Sequence, residues 1–246
     1  MQHRCINEWR LYLQHRCINR LDHMTTPPDI LMLPGSRGDV LNAVFCNELS
    51  DMEAIHAQHV NICILEREIG HLRNEVLALM SAGVNLKTNG TVNEILTQIG
   101  SKGGFKARYP LVYNDIKQLL RGFETVSKAL FFRFSLSTVK SDMCRKFHTD
   151  INDLRLLSTY AGAATIWLPD DAVNRTTLLN IGADHSTAVH PKLEQHAKTG
   201  DVLLLKGAIY PKDGTKALIH RSPSIEESGE YRLLLRIDTN EFLTFS

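Results

Sequence analysis

The sequence has no Cys-x-x-Cys pair, and its five cysteines, Cys5, Cys17, Cys46, Cys63 and Cys144, are odd in number and widely spread. That spacing excludes a disulfide framework and a thiolate zinc cage, and makes a reducing, cytoplasmic setting the expectation. No run of about 18 apolar residues is present, so no helical membrane span is expected. The N-terminus also lacks the uninterrupted apolar stretch of a secretory signal. Charge of either sign is in short surplus, with 28 Lys plus Arg against 27 Asp plus Glu. A broad polynucleotide footprint needs a concentrated basic face, so there is no strong nucleic-acid signal. The glycine-rich G-S-R-G-D at 35–39 lacks the Lys-Ser/Thr ending of a phosphate-binding loop and reads as a turn.

What is present is enough apolar sequence, 43% of 246 residues, to bury one large core. The hexapeptide Q-H-R-C-I-N occurs at 2–7 and again at 14–19. Two such short copies cannot build a solenoid. Residues 1–23 are therefore expected to be a dispensable leader, with Met24 as the original start.

From 24 to 128 the pattern is mainly helical. V-N-I-C-I-L at 60–65 suggests a short strand. Leu65, Ile69, Leu72, Val76, Leu79 and Met80 then recur at three- and four-residue steps and predict a helix ending at Gly83. T-V-N-E at 91–94 is a capping box opening a second helix through Ile99, broken by K-G-G at 102–104. Val112, Ile116, Leu119, Leu120, Phe123 and Val126 mark a third.

After residue 129 the period shortens to two. Strands are expected at 131–139, 146–150, 154–160, 164–168, 201–206, 216–220 and 231–237, with weaker ones in 176–190. Such a series predicts an antiparallel sandwich or jelly roll over 129–246, with the helices packed on one sheet, an α+β arrangement.

Within that region C-R-K-F-H-T-D at 144–150 places His148 and Asp150 two residues apart, so on one strand they would leave the same face. They are two convergent metal ligands or, more plainly, a strand-end pair in which the carboxylate holds the imidazole. His220, closing K-A-L-I-H before a proline, is the expected third ligand. Two imidazoles and one carboxylate on one face of an ion leave positions open for co-substrate and dioxygen, as in non-haem Fe(II) oxygenases, although the same donors also hold zinc. Arg232, twelve residues on, could pair with a distal carboxylate, with Arg236 as its alternative by parity. Ser222 and Tyr160 could each add a hydroxyl hydrogen bond. His185, His190 and His196 match no standard zinc spacing and are expected in a loop.

The order H-T-D, His220, Arg232 resembles the Fe(II)/2-oxoglutarate-dependent dioxygenase superfamily. The resemblance implies a double-stranded β-helix (jelly roll, cupin-like) core, iron held by His148, Asp150 and His220, and 2-oxoglutarate salt-bridged to Arg232. More closely, C-R-K-F-H-T-D, R-L-L-S-T-Y-A-G, W-L-P-D-D, V-L-L-L-K-G, H-R-S-P and R-L-L-L are similar to an uncharacterised bacterial family, domain of unknown function 1826. At 161–165 the sequence reads A-G-A-A-T, where that family pattern has Gly-Pro-Gly-Thr. The resemblance implies metallochaperone GTPase neighbours and zinc-responsive gene settings, so Zn(II) is the alternative metal and a zinc-binding accessory protein the alternative function. As an oxygenase, the protein would hydroxylate or demethylate a protein side chain or a small molecule. A third reading, a metal-free interaction module, requires that His148, Asp150 and His220 do not converge.

Overall fold

Alternation along the later strands explains the main sheet. In the computed structural model, which describes residues 40–141, 144–179, 190–226 and 228–239, strand β4 is Phe132–Val139 and strand β10 is Arg232–Thr239. Phe132, Phe134 and Leu136 of β4, and Leu233, Leu235 and Ile237 of β10, enter one apolar core. Arg133, Ser135 and Ser137, and Arg232, Leu234, Arg236 and Asp238, therefore leave the opposite face. Strands β5 (Leu154–Ala161) and β8 (Val202–Lys206) continue the sheet. Every residue of β8 is buried, because both faces of that strand are covered.

The helices cover one face. They are α1 (Arg73–Ser81), α2 (Val92–Ser101), the short α3 (Phe105–Arg108) and α4 (Pro110–Ser127). Val112, Ile116, Leu119, Leu120 and Phe123 of α4 pack into the core shared with β4, β5, β8 and β10. Phe123 meets Phe132 with ring centroids 5.5 Å apart. Fully burying each such side chain contributes about 1.5–3 kcal/mol. The capping box forms as expected: the Glu94 N–H donates to Thr91 Oγ1 (3.3 Å), and the Thr91 N–H to Glu94 Oε2 (2.8 Å).

The other face meets a smaller sheet. Strands β6 (Ile166–Leu168), β7 (Gln195–His196) and β9 (Ile219–Arg221) run in the order β7-β6-β9, and a short helix α5 (Arg175–Leu179) follows β6. Trp167 of β6 packs with Ile62, Ile64, Leu157, Leu203, Leu205 and Leu218 in a second core between the sheets.

Three strands from before residue 129 join the large sheet: β1 (Ala43–Cys46), β2 (Ile62–Leu65) and β3 (Asn85–Gly90). Its order is β1-β2-β8-β5-β10-β4-β3, antiparallel except for β1 with β2. The 40–128 segment thus mixes helices with sheet edges. The molecule is a mixed α/β protein built on a large sheet.

Some elements differ from expectation. The apolar stripe from Leu65 does not make a helix at once: Leu65 pairs with Val202 in the sheet, and α1 begins only at Arg73. Pairing with β8 outweighs the local period. The segment 146–150 is not a strand; it reduces to a single bridge at His148, because the chain turns away after Thr149. Strand β9 is shorter than 216–220 suggested, starting at Ile219. In 176–190, α5 extends to Leu179 where weak strands were expected, and 180–189 lie outside the described residues. The leader with its duplicated hexapeptide, Met24, the 35–39 turn and His185 also lie outside them.

Candidate metal centre

The single bridge at His148 carries the site. The His148 N–H donates to the His220 carbonyl and the His220 N–H to that of His148, both at 3.0 Å. A directly opposed, hydrogen-bonded pair points its side chains to the same side. The imidazole centroids lie 4.7 Å apart. Asp150, two residues on, brings its carboxylate to both: Oδ1 is 3.6 Å from His148 Nε2, and Oδ2 is 3.2 Å from His220 Nε2. Ligand atoms of His148, Asp150 and His220 all fall within 4.8 Å of one another. This convergence removes the premise of the metal-free module. His148 Nδ1 donates to the Lys146 carbonyl at 2.9 Å, which turns Nε2, the nitrogen that a metal would meet, toward Asp150.

The loop that carries Asp150 is held by the turn after β8. Gly207 N–H donates to Asp153 O (2.8 Å), Ala208 N–H to Asp150 O (2.8 Å) and Ile209 N–H to Asn152 O (3.2 Å). A Cβ on Gly207 would overlap the Asn152 carbonyl oxygen, so only glycine admits this approach.

Charge is arranged behind the carboxylate. Arg155 Nη1 forms an ion pair with Asp150 Oδ2, and Arg155 Nε reaches Asp238 Oδ1 at 2.5 Å. Asp238 also accepts from Asn152 Nδ2 (3.1 Å) and lies 3.3 Å from Arg236 Nε. Burial alone would raise the Asp150 pKa, but His220, His148 and Arg155 hold it well below the usual carboxylate range. Burial likewise opposes the charged form of His148, yet Asp150, the Cys144 thiol and the Lys146 carbonyl push its pKa up to about 10. Hydrogen bonding to His148 brings the Cys144 thiol down, against its own burial.

Arg232 lies on the sheet face that carries Asp238, 1% exposed. Its Nη2 reaches Thr159 Oγ1 at 3.4 Å, its Nε has no partner, and burial drives its pKa down to about 10. No carboxylate among the described residues pairs with it. Gly162, at φ 78°, lets β5 end against this strand: a Cβ there would overlap the Tyr231 carbonyl and meet Arg232 Cγ at 3.0 Å.

The remaining expected residues separate. Arg236 does share the face of Arg232, but its Nε is turned to Asp238. Tyr160 is corrected: it lies on the helix-facing side of β5, its hydroxyl donating to Asp115 Oδ2 at 2.5 Å, because alternation from Thr159 turns it away from the site. Ser222 stands two residues past His220, with its N–H donating to the Cys144 carbonyl at 2.9 Å. His190 donates its N–H to Ala172 O, and His196 belongs to β7 rather than to a loop; neither joins the cluster. Sequence reasoning missed Arg155, Asn152, Asp238 and Gly207. The available signal was polar residues on one face of strands otherwise apolar, in L-R-L-L and R-I-D.

Two sheets enclosing a His-Asp-His cluster and a buried guanidinium define a candidate metalloprotein site. The chain belongs to the family described as protein of unknown function, DUF1826, whose model matches residues 46–238. Among curated proteins none matches. Solved structures similar to it include an Arabidopsis thaliana dioxygenase for auxin oxidation in its 2-oxoglutarate complex (TM-score 0.45, 10% identity, covering 80% of this protein and 91% of that one). Another is a Caulobacter crescentus protein assigned to the 2-oxoglutarate–Fe(II) oxygenase family (0.42, 11%, 81% and 86%). A third is a Pseudomonas putida prolyl-4-hydroxylase (0.40, 10%, 78% and 97%). No helix among the described residues is long and apolar enough to cross a membrane.

Proposed function

We propose that this protein is an Fe(II)- and 2-oxoglutarate-dependent oxygenase on a double-stranded β-helix core within residues 129–246. Strand order supports that core: β4, β5, β8 and β10 fall in the large sheet, while β6, β7, β9 and the His148 segment fall in the small one. The polypeptide thus alternates between two facing sheets, and the elements before residue 129 buttress and widen the larger.

The observation that carries the reading is Arg232. A buried guanidinium without a counter-ion is costly, and an anion that binds it recovers that cost. The three clustered side chains alone fit several divalent ions; an arginine unpaired among the described residues, on the face of the large sheet that carries Arg155 and Asp238, fits a carboxylate co-substrate. His148 Nε2, His220 Nε2 and one oxygen of Asp150 would hold the ion, while Arg232 would fix the far carboxylate of 2-oxoglutarate. Bound Fe(II) would supply dioxygen reduction coupled to decarboxylation of the 2-oxo acid. The Nδ1–Lys146 hydrogen bond orients the His148 ring so that Nε2 would meet the ion, and the apolar core around Trp167 limits water on the side between the sheets. The substrate class is a small molecule or a protein side chain, in a cytoplasmic setting consistent with free Cys46, Cys63 and Cys144.

The test is anaerobic purification with metal analysis, 2-oxoglutarate titration and succinate release. Expected are one iron per protein molecule, 2-oxoglutarate binding, and succinate formed in the presence of dioxygen. Metal uptake without any 2-oxoglutarate binding sinks the oxygenase reading in favour of the second one, a zinc-binding accessory protein. That second reading needs only the three clustered side chains, which are also zinc donors.

A further inference from the structure

The charges behind Asp150 form an alternating ladder, Asp150–Arg155–Asp238–Arg236, that runs from the His-Asp-His cluster across β5 to β10. Asp238 and Arg155 are register partners on these adjacent strands, so the ladder is fixed by backbone pairing as well as by side chains. Asn152 Nδ2, from the ligand loop itself, closes it onto Asp238 at 3.1 Å. A surface salt bridge would carry little meaning. This one is different, because the side chains of Arg155 and Asp238 are only 16% and 5% exposed and meet a carboxylate that faces two imidazoles.

We propose that Arg155 is a positioning residue that restricts Asp150 to one-oxygen ligation, and that Asp238, Asn152 and Arg236 hold Arg155 in place for that purpose. This rests on the metal-centre reading above. A free carboxylate can chelate an ion through both oxygens and so occupy an extra coordination position. Oδ2 lies 3.2 Å from His220 Nε2 and carries the Arg155 ion pair, which draws on its charge, so Oδ1, 3.6 Å from His148 Nε2, remains as the stronger donor. A centre that must keep positions open for co-substrate needs this restraint, and a closed structural metal site does not. Arg155 touches no reacting atom; it acts through Asp150.

Co(II), whose ligand-field absorption weakens as coordination number rises, reads the restraint without turnover. Purified wild type, Arg155→Gln, Arg155→Lys and Asp238→Asn would be titrated with Co(II) in the absence of 2-oxoglutarate. In Arg155→Gln the absorption should weaken and shift, and the Kd should change by about tenfold or more. Asp238→Asn keeps the Arg155 charge but loosens its anchor, so it should move the spectrum in the same direction by less. Lysine can reach one carboxylate but not both, so Arg155→Lys should fall between Gln and wild type. A merely structural role would lower the thermal midpoint and leave the spectrum of the folded, loaded protein unchanged. Wild-type spectrum and Kd in folded Arg155→Gln and Asp238→Asn overturn the proposal; if Arg155→Gln does not fold, Asp238→Asn decides alone. Failure of wild type to take up Co(II) or Fe(II) instead overturns the metal-centre reading, and this proposal with it.

Discussion

At the scale of single residues, burial lowers the pKa of two cations, Arg232 and Lys206. Among the described residues Arg232 has no acidic partner and is held at a cost, so Arg232→Met should raise the thermal midpoint of the metal-free protein while weakening 2-oxoglutarate binding at least about thirtyfold. Differential scanning calorimetry and ligand titration on the same sample check both halves; a lowered midpoint would contradict the idea of an unpaired charge. Lys206, at the end of β8 on the helix-facing side, donates to Ala57 O at 2.7 Å and lies over the Tyr210 ring at 4.7 Å. Burial, and then Lys212, push its pKa down to about 8, with Cys63 opposing. The folded state therefore sheds this proton before the unfolded chain does. Between about pH 8 and the ordinary lysine range, the unfolded state binds more protons, so the Lys206 contribution to stability rises with pH. Urea unfolding of wild type and Lys206→Met across that window should show wild type gaining on the variant; parallel curves would refute it.

At the scale of elements, the site depends on close backbone approaches. The N–H groups of Gly207, Ala208 and Ile209 bind the turn after β8 to the loop that carries Asp150, donating to the carbonyls of Asp153, Asp150 and Asn152 in turn. Gly207→Ala places a methyl inside van der Waals contact with Asn152 O and Oδ1, so the ligand loop must move. Metal affinity should fall about tenfold or more while the helices keep their circular dichroism signal. Unchanged metal affinity would show that the loop does not need this tether. The capping box at Thr91 and the α4 stripe were legible in the sequence because their causes are local, within four residues. The start of α1 was not, since Leu65 belongs to a strand whose partner, Val202, lies far along the sequence.

At the scale of the whole molecule, one polar knot spans the layers on the helix side of the large sheet. Arg67, just after β2, binds Asp115 of α4 through Nη1 at 2.6 Å, the Gly200 carbonyl at 2.7 Å and Ser158 of β5 at 3.2 Å, and Tyr160 adds its hydroxyl to Asp115. Asp115→Ala would leave the guanidinium without its counter-ion and the buried phenol without its acceptor, a loss of about 3–5 kcal/mol measurable by urea unfolding. A cost below about 1 kcal/mol would mean that water replaces the carboxylate. This knot also explains why Tyr160 could not be assigned from the text. The sequence offered only a hydroxyl that could add a hydrogen bond, whereas its strand face was decided by sheet pairing with β10, including the irregular step between Leu233 and Leu234.

The sequence alone determined what periodicity and short-range chemistry can encode: alternating strands after residue 129, the helical stripes before it, and His148 with Asp150 as neighbours two residues apart. The tertiary structure decided the rest. It paired His148 with His220, set Arg155 and Asp238 behind Asp150, turned Tyr160 away, and drew β1, β2 and β3 onto the edges of one sheet. Those outcomes depend on which strands are neighbours, and strand register across tens of residues is settled by burial and backbone pairing summed over the whole fold.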